Sequence, residues 1–147
     1  MNRVQVKINM LPKYSALVPT KAHKTDAGYD VRSRINTVVG VGKTVLVPTG
    51  FRIQLPENYE AQIRPRSGLA LKQEITINNS PGTVDCGFTA EVGVIIHNGG
   101  TEPFIIARKD RIAQMVICKL PVVELITVDE LELTERGNTG FGDSGIK

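Results

Sequence analysis

The stretch FRIQLPENYEAQI (51–63) decides the fold class. Phe51, Ile53 and Leu55 fall two apart, a Pro-Glu-Asn turn signal interrupts, and Tyr59, Ala61 and Ile63 resume the same period. Successive side chains of a strand point to opposite faces, so a period of two marks strands with one buried face, here a pair joined by a turn. Upstream, Val4, Val6, Ile8 and Met10 repeat the pattern. Further strands are expected at Thr44–Val47, Ile75–Asn78, Phe88–His97, Pro103–Ala107, Ile112–Leu120 and Val122–Val128, with turn signals such as NNSPG (78–82) and HNGG (97–100) between them. Val, Ile and Thr number 42 against 18 for Ala plus Leu. β-Branched side chains lose rotamer freedom in helices and pack well on a pleated surface, so the expectation is a single all-β barrel or sandwich. One short helix is expected at Ser67–Lys72, with Ser67 as its N-cap. Residues 136–147 carry four glycines and no apolar period, which predicts a mobile arm beyond a β-domain at 1–135.

Composition narrows the function classes. A chain of 147 residues can bury a sufficient core without disulfides, and its two cysteines, Cys86 and Cys118, are too few for a disulfide scaffold. Two histidines and no CxxC exclude a structural zinc site. No window approaches the apolar length of a membrane helix, and the alternating start MNRVQVKINM lacks a signal-peptide core, so no membrane partner and a cytoplasmic location are expected. The net charge of +3 conceals an asymmetry: residues 1–120 carry 16 Lys/Arg against 9 Asp/Glu, whereas residues 121–147 carry 2 against 6. A basic body suits a phosphate-bearing ligand or simply a solvated surface. Aromatics make up only 5% of the chain, which disfavours a nucleic-acid stacking platform.

Two motifs are decoys. GFGDSG (140–145) spells GxGxxG, but only two residues follow it, leaving no helix to hold a pyrophosphate. Gly42-Lys43-Thr44 mimics the end of a Walker A loop, but the position of its first glycine holds Thr37 and a strand follows. Four other segments can carry chemistry, and each also has a plain structural reading. Arg66, Ser67 and Gly68 open the short helix, where a guanidinium fork, a hydroxyl and an open backbone suit an anion; a capped helix with a solvated Arg fits equally. In Asn78–Asp85 a hairpin mouth offers backbone groups to a base edge and Asp85 could orient a water, yet Asn, Pro, Gly and Asp are also ordinary turn residues. Asp30 either binds a metal-held water or closes a turn, and Gln114, among apolar strand residues, is a structural bridge or a phosphate ligand.

Order and combination carry more than any single segment. AGYDVRS (27–33), PRSGLA (65–70), NSPGTVDCGF (79–88), DRIAQM (110–115) and RGNTGFGDSG (136–145) together resemble the five motifs of the trimeric dUTP diphosphatases, the dUTPases, across essentially the whole chain. The resemblance implies a β-barrel or jelly-roll-like subunit, a homotrimer with active sites shared at subunit interfaces, and Mg²⁺-dependent hydrolysis of dUTP to dUMP and pyrophosphate, which limits uracil incorporation into DNA and supplies dUMP for dTMP synthesis. Carried over by motif, Asp85 activates the water that attacks the α-phosphorus, Arg66, Ser67 and Gly68 hold phosphate oxygens, and Asp30 anchors waters of the Mg²⁺ shell. Gln114 contacts the phosphate chain or the attacking water, Asn79, Thr83 and Val84 read uracil and the sugar, and Phe88 lies against the deoxyribose. On the arm, Arg136 grips the γ-phosphate and Phe141, flanked by Gly142 and Ser144, stacks on uracil in a neighbouring subunit's site. Arg111 is expected to support the site through an ion pair. Three positions depart from the family pattern: Phe88 stands where Tyr is usual, Ala90 where Gly is usual and Asp143 where Ser is common.

Rival readings are a dCTP deaminase of the same fold, a dUTPase-like regulatory module that has lost hydrolysis, and a nucleic-acid-binding barrel. The motifs follow the diphosphatase pattern, the presence of Asp85, Gln114 and Arg136 speaks against lost hydrolysis, and the scarcity of aromatics speaks against the third.

Overall fold

The alternating segments pair as antiparallel strands in a computed structural model that describes residues 3–146. In chain order these are β1 (Lys7–Met10), β2 (Tyr29–Arg32), β3 (Thr37–Val39), β4 (Thr44–Gln54), β5 (Tyr59–Arg64), β6 (Ile75–Ile77), β7 (Gly82–Val84), β8 (Glu91–Asn98), β9 (Phe104–Ile106) and β10 (Arg111–Lys119), with α1 (Ser67–Gln73) between β5 and β6. They form two four-stranded sheets, ordered β1-β4-β8-β6 and β2-β10-β5-β7, and a small β3-β9 pair. The period-two side chains of one sheet (Phe51, Ile53, Val92, Val94, Ile96) meet those of the other (Val31, Ala61, Ile63, Ala113, Met115) in one buried cluster. Alternate residues of β8 are buried along its whole length, the pattern of a strand with one face on the core.

Buried polar groups tie the elements together rather than sitting unpaired. Asn98, fully buried at the end of β8, donates through Nδ2 to the Val39 and Glu102 carbonyls at 2.9 and 2.8 Å, and its Oδ1 accepts from the Gly100 N–H. In β4 the register with β8 shifts between Pro48 and Arg52. A proline lacks the ladder donor and is tolerated at such a bulge. Gly50 lies there at φ +82°, where a Cβ would come within 2.9 Å of the Tyr14 side chain. That ring is flanked in turn by the guanidinium groups of Arg34 and Arg108, at 5.4 and 5.2 Å from its centre.

Several expectations are corrected. The strand expected at Val122–Val128 does not form: residues 120–133 run without strand partners and lie exposed. Of Val4–Met10 only Lys7–Met10 pairs, and Phe88 lies in the turn before β8, which begins at Glu91. Ser67 is not the N-cap; Arg66 holds that position in extended backbone, with no side-chain cap bond, and the helix ends at Glu74 in the left-handed region. The segment 78–85 is not the mouth of a hairpin. β6 pairs with β8 in one sheet and β7 with β5 in the other, so the turn between them crosses from sheet to sheet.

Candidate active site

Strand register assembles three of the segments. In the second sheet Asp30 of β2 lies directly opposite Gln114 of β10, which lies opposite Arg64 of β5. Past the buried Val31–Ala113 pair and a register shift in β10, the next outward-facing row sets Arg32 opposite Arg111, and Arg66, just beyond β5, donates from Nη1 to the Arg111 carbonyl at 3.1 Å. Arg111 Nη1 lies 3.5 Å from Asp30 Oδ2, the ion pair expected from the sequence. Gln114, half-buried, donates from Nε2 to the Pro65 carbonyl at 3.0 Å, so it bridges β10 to the turn that carries Arg66 and Ser67. Its other face rests on Gly28, where a Cβ would fall 2.5 Å from Gln114 Oε1. A side chain at position 28 would displace the Gln114 amide from this place. Ser67 and Gly68 are exposed beside Arg66, and a Cβ on Gly68 would meet nothing within 4 Å.

A second group forms elsewhere on the same sheet. Gly82 of β7 lies opposite Ile63, and the strand then runs back past Gln62 and Ala61. This carries Val84 roughly 10 Å along and roughly 10 Å across from the Gln114 row, by ordinary strand dimensions. Asp85 follows, exposed, its carbonyl accepting the Phe88 N–H at 3.0 Å in a turn that leaves the Phe88 ring 45% exposed. Asn79, Gly82, Thr83 and Val84 line a small cavity of about 50 Å³ together with Gly93 and Ile95. Gly93 and Ile95 fall on the β8 face opposite the buried Val92, Val94 and Ile96, and a glycine and an isoleucine carry no chemical group that would single them out in the sequence.

The arm is separate from both groups. Arg136, Phe141, Gly142 and Ser144 are exposed, and Phe141 makes no use of its ring within the chain. Arg136 instead folds the arm on itself, donating from Nε to the Thr139 carbonyl at 3.0 Å and approaching Asp143 Oδ1 at 4.0 Å. Of the site residues named from the sequence, one chain therefore brings together Asp30, Arg66, Ser67, Gly68 and Gln114. It gathers Asn79, Thr83, Val84, Asp85 and Phe88 in a second place, and leaves Arg136, Phe141, Gly142 and Ser144 in neither.

The dUTPase family model matches residues 15–145, nearly the whole chain. The chain belongs to the dUTPase family. It is 47% identical to the deoxyuridine 5'-triphosphate nucleotidohydrolase of Gloeothece citriformis, over 97% of this chain and 98% of that protein. The enzyme of the same name from Alkaliphilus metalliredigens is likewise 47% identical, over the full length of both. In structure it resembles the dUTPase of Staphylococcus bacteriophage 80alpha solved with dUpNHpp, with a TM-score of 0.87 and 28% identity over 97% of this chain and 99% of that one. The chain is accordingly a dUTP diphosphatase, with the antiparallel, mostly β fold of its relatives. Among the described residues no helix is long and apolar enough to cross a membrane.

Proposed function

We propose that this dUTPase cleaves dUTP by Mg²⁺-assisted attack of water on the α-phosphorus, in sites shared between the copies of a homotrimer. The reading rests on one observation: the phosphate-side residues Asp30, Arg66 and Gln114 sit together, while Asp85 and the base-side residues sit on another part of the sheet. A site needing both is completed by a second copy. Asp85, exposed on its turn, takes the proton of the attacking water; the water oxygen bonds to the α-phosphorus, and the bridging oxygen to the β-phosphorus leaves with its electron pair as pyrophosphate. Arg66, Ser67 and Gly68 hold phosphate oxygens, the remaining Gln114 N–H orients water or phosphate, and Asn79, Thr83 and Val84 read the base above Phe88. The arm, residues 136–147, then closes from another copy, with Arg136 on the γ-phosphate and Phe141, Gly142 and Ser144 over uracil.

The metal reading fits the donors present. No group of three or more His, Cys, Asp or Glu side chains is placed to hold an ion among the described residues. Mg²⁺ keeps several waters and takes substrate phosphates as ligands, so a lone carboxylate suits its outer shell, and Asp30, pairing with Arg111 through Oδ2, retains Oδ1 for such waters. Held there with the nucleotide, such an ion would supply Lewis-acid stabilisation of charge on the phosphate oxygens.

Two further observations support assembly. Residues 120–133 expose a run of large apolar side chains, among them Val122, Leu125, Leu131 and Leu133. In addition, an apolar groove of about 500 Å³, lined by Ile8, Val18, Tyr29, Ile53, Met115 and Ile117 among others, opens between the outer strands β1 and β2. An unpartnered apolar segment and an unpaired apolar edge in one chain are complementary between copies. In the cell the reaction lowers the dUTP available for incorporation into DNA and supplies dUMP for dTMP synthesis. The test is pyrophosphate release from dUTP with and without Mg²⁺, with dCTP, dTTP and UTP as controls, alongside the mass of the particle by light scattering. Hydrolysis by a monomer, or without Mg²⁺, would count against the shared, metal-assisted site.

A further inference from the structure

Arg32 is the one member of the outer arginine row without a part in that reading. It stands two residues beyond Asp30 on β2, hence on the same face, and directly opposite Arg111. Arg66, just beyond β5, reaches the Arg111 carbonyl and Arg32 reaches the Lys109 carbonyl, so guanidinium groups from β2, from β10 and from the turn after β5 converge on the start of β10. Arg111 pairs with Asp30, whereas Arg66 and Arg32 each anchor on a backbone carbonyl and keep donors free. Arg32 donates from Nη1 to the Lys109 carbonyl at 3.0 Å and has no carboxylate within ion-pair distance among the described residues.

Like charges directly opposite on neighbouring strands repel. The Arg32–Arg111 pair keeps that arrangement with one ion-paired carboxylate, Asp30, beside it, while the neighbouring Asp110 turns its Oδ2 back to accept the Ala107 N–H. An anion lying across the row converts the repulsion into attraction. The Lys109 carbonyl holds the Arg32 fork in place and leaves the rest of its five N–H donors for phosphate oxygens.

We infer that Arg32 is a further substrate-binding residue, holding the pyrophosphate end of dUTP from the β2 side while Arg66 holds the chain from the β5 side. This rests on the dUTP site proposed above. It gives the phosphate chain a cationic anchor within the core sheet, independent of the arm's Arg136.

The experiment compares wild type with Arg32→Gln and Arg32→Lys by titration calorimetry with dUpNHpp and with dUMP, together with inhibition by pyrophosphate and the unliganded melting temperature. Losing one charge-assisted phosphate contact corresponds to about a tenfold change in affinity. Arg32→Gln is expected to weaken dUpNHpp binding and pyrophosphate inhibition about tenfold, to leave dUMP affinity unchanged, and to raise KM for dUTP far more than it lowers kcat. Arg32→Lys, which keeps the charge without the fork, should fall between. The unliganded melting temperature should hold or rise, because a like-charge neighbour is removed. An unchanged ratio of dUpNHpp to dUMP affinity overturns the inference. So does an equal loss for both ligands with a lowered melting temperature, which would make Arg32 a cap on the Lys109 turn only. Wild-type protein that releases no pyrophosphate from dUTP would instead sink the underlying reading.

Discussion

The strands before residue 120 and the tail after it are built from the same residue types and meet opposite fates. Phe51, Val94 and Ile96 are completely buried, whereas Leu125 is 93% exposed and Leu133 fully so. Burying such a side chain contributes about 1.5–3 kcal/mol, so a tail with this many exposed apolar groups forgoes a large share of its stabilisation within one chain. The tail's apolar side chains are interleaved with Glu124, Asp129, Glu130 and Glu132, and none of the chain's own strands takes it up. Period-two alternation reports that a segment can lie on an apolar face, and it is silent about which molecule supplies that face.

The contrast can be broken most forcefully at the reaction itself. Asp85→Asn in the body should cut kcat by ~10²–10⁴-fold, the contribution of a positioned general base, with dUTP binding retained. Deleting residues 136–147 should lower kcat/KM by several orders of magnitude while leaving particle size and melting temperature nearly unchanged. Co-refolding the two proteins should regenerate activity above either parent, since some sites then combine an intact Asp85 with an intact arm. No recovery in the mixture would mean that body and arm of one chain serve the same site.

Next in size is the tail's apolar run. If Leu125 and Leu131 were simply solvated, replacing both by Asp would change stability by less than about 0.5 kcal/mol each. Docked on another copy, the double variant should dissociate toward monomer and lose activity with it, which sedimentation velocity would read directly. A variant of unchanged size would make the tail an ordinary surface and erase the contrast.

A smaller effect is expected from Gly28→Ala. The added Cβ forces Gln114 to move from its place 2.5 Å away, and displacement of a positioning group by about an ångström costs on the order of 10²-fold at most. The loss should fall on kcat, and it should vanish in a Gln114→Ala background; a full loss persisting there would assign Gly28 a role unconnected with Gln114. The smallest is Asp143→Ser. The Arg136–Asp143 approach of 4.0 Å is between exposed side chains, so removing it should change kcat/KM by no more than about twofold.

How far the site was legible depended on whether its logic was local. The five motifs lie in fixed order along the chain, and their letters alone lead to the family and to the roles proposed for Asp30, Arg66, Asp85 and Gln114. Gly28 and Arg32 sat inside the quoted motif 27–33 without a role, because their partners, Gln114 and Arg111, are some 80 residues away in sequence and adjacent only through strand pairing. The same limit explains the misread segment 78–85. Asn, Pro and Gly announce a turn correctly, but whether the strands on either side join each other or separate sheets depends on competing edges elsewhere, and here β8 and β5 take them apart.

By itself the sequence determined which face each strand presents to a core, where the chain turns, and which chemistry-bearing residues travel together in motifs. These follow from backbone geometry and side-chain type within a few residues of one another. Only the tertiary structure decided that Asp30, Gln114 and Arg64 fall in one row, that Arg32 and Arg111 face each other with Asp30 as their ion-paired carboxylate, that Asp85 is carried to another part of the sheet, and that residues 121–133 join no strand of their own chain. The physical reason is register. A one-residue slip would turn every side chain of a strand to the opposite face, so the alignment is set by burying whole apolar faces at once, a long-range condition that no local stretch of residues contains.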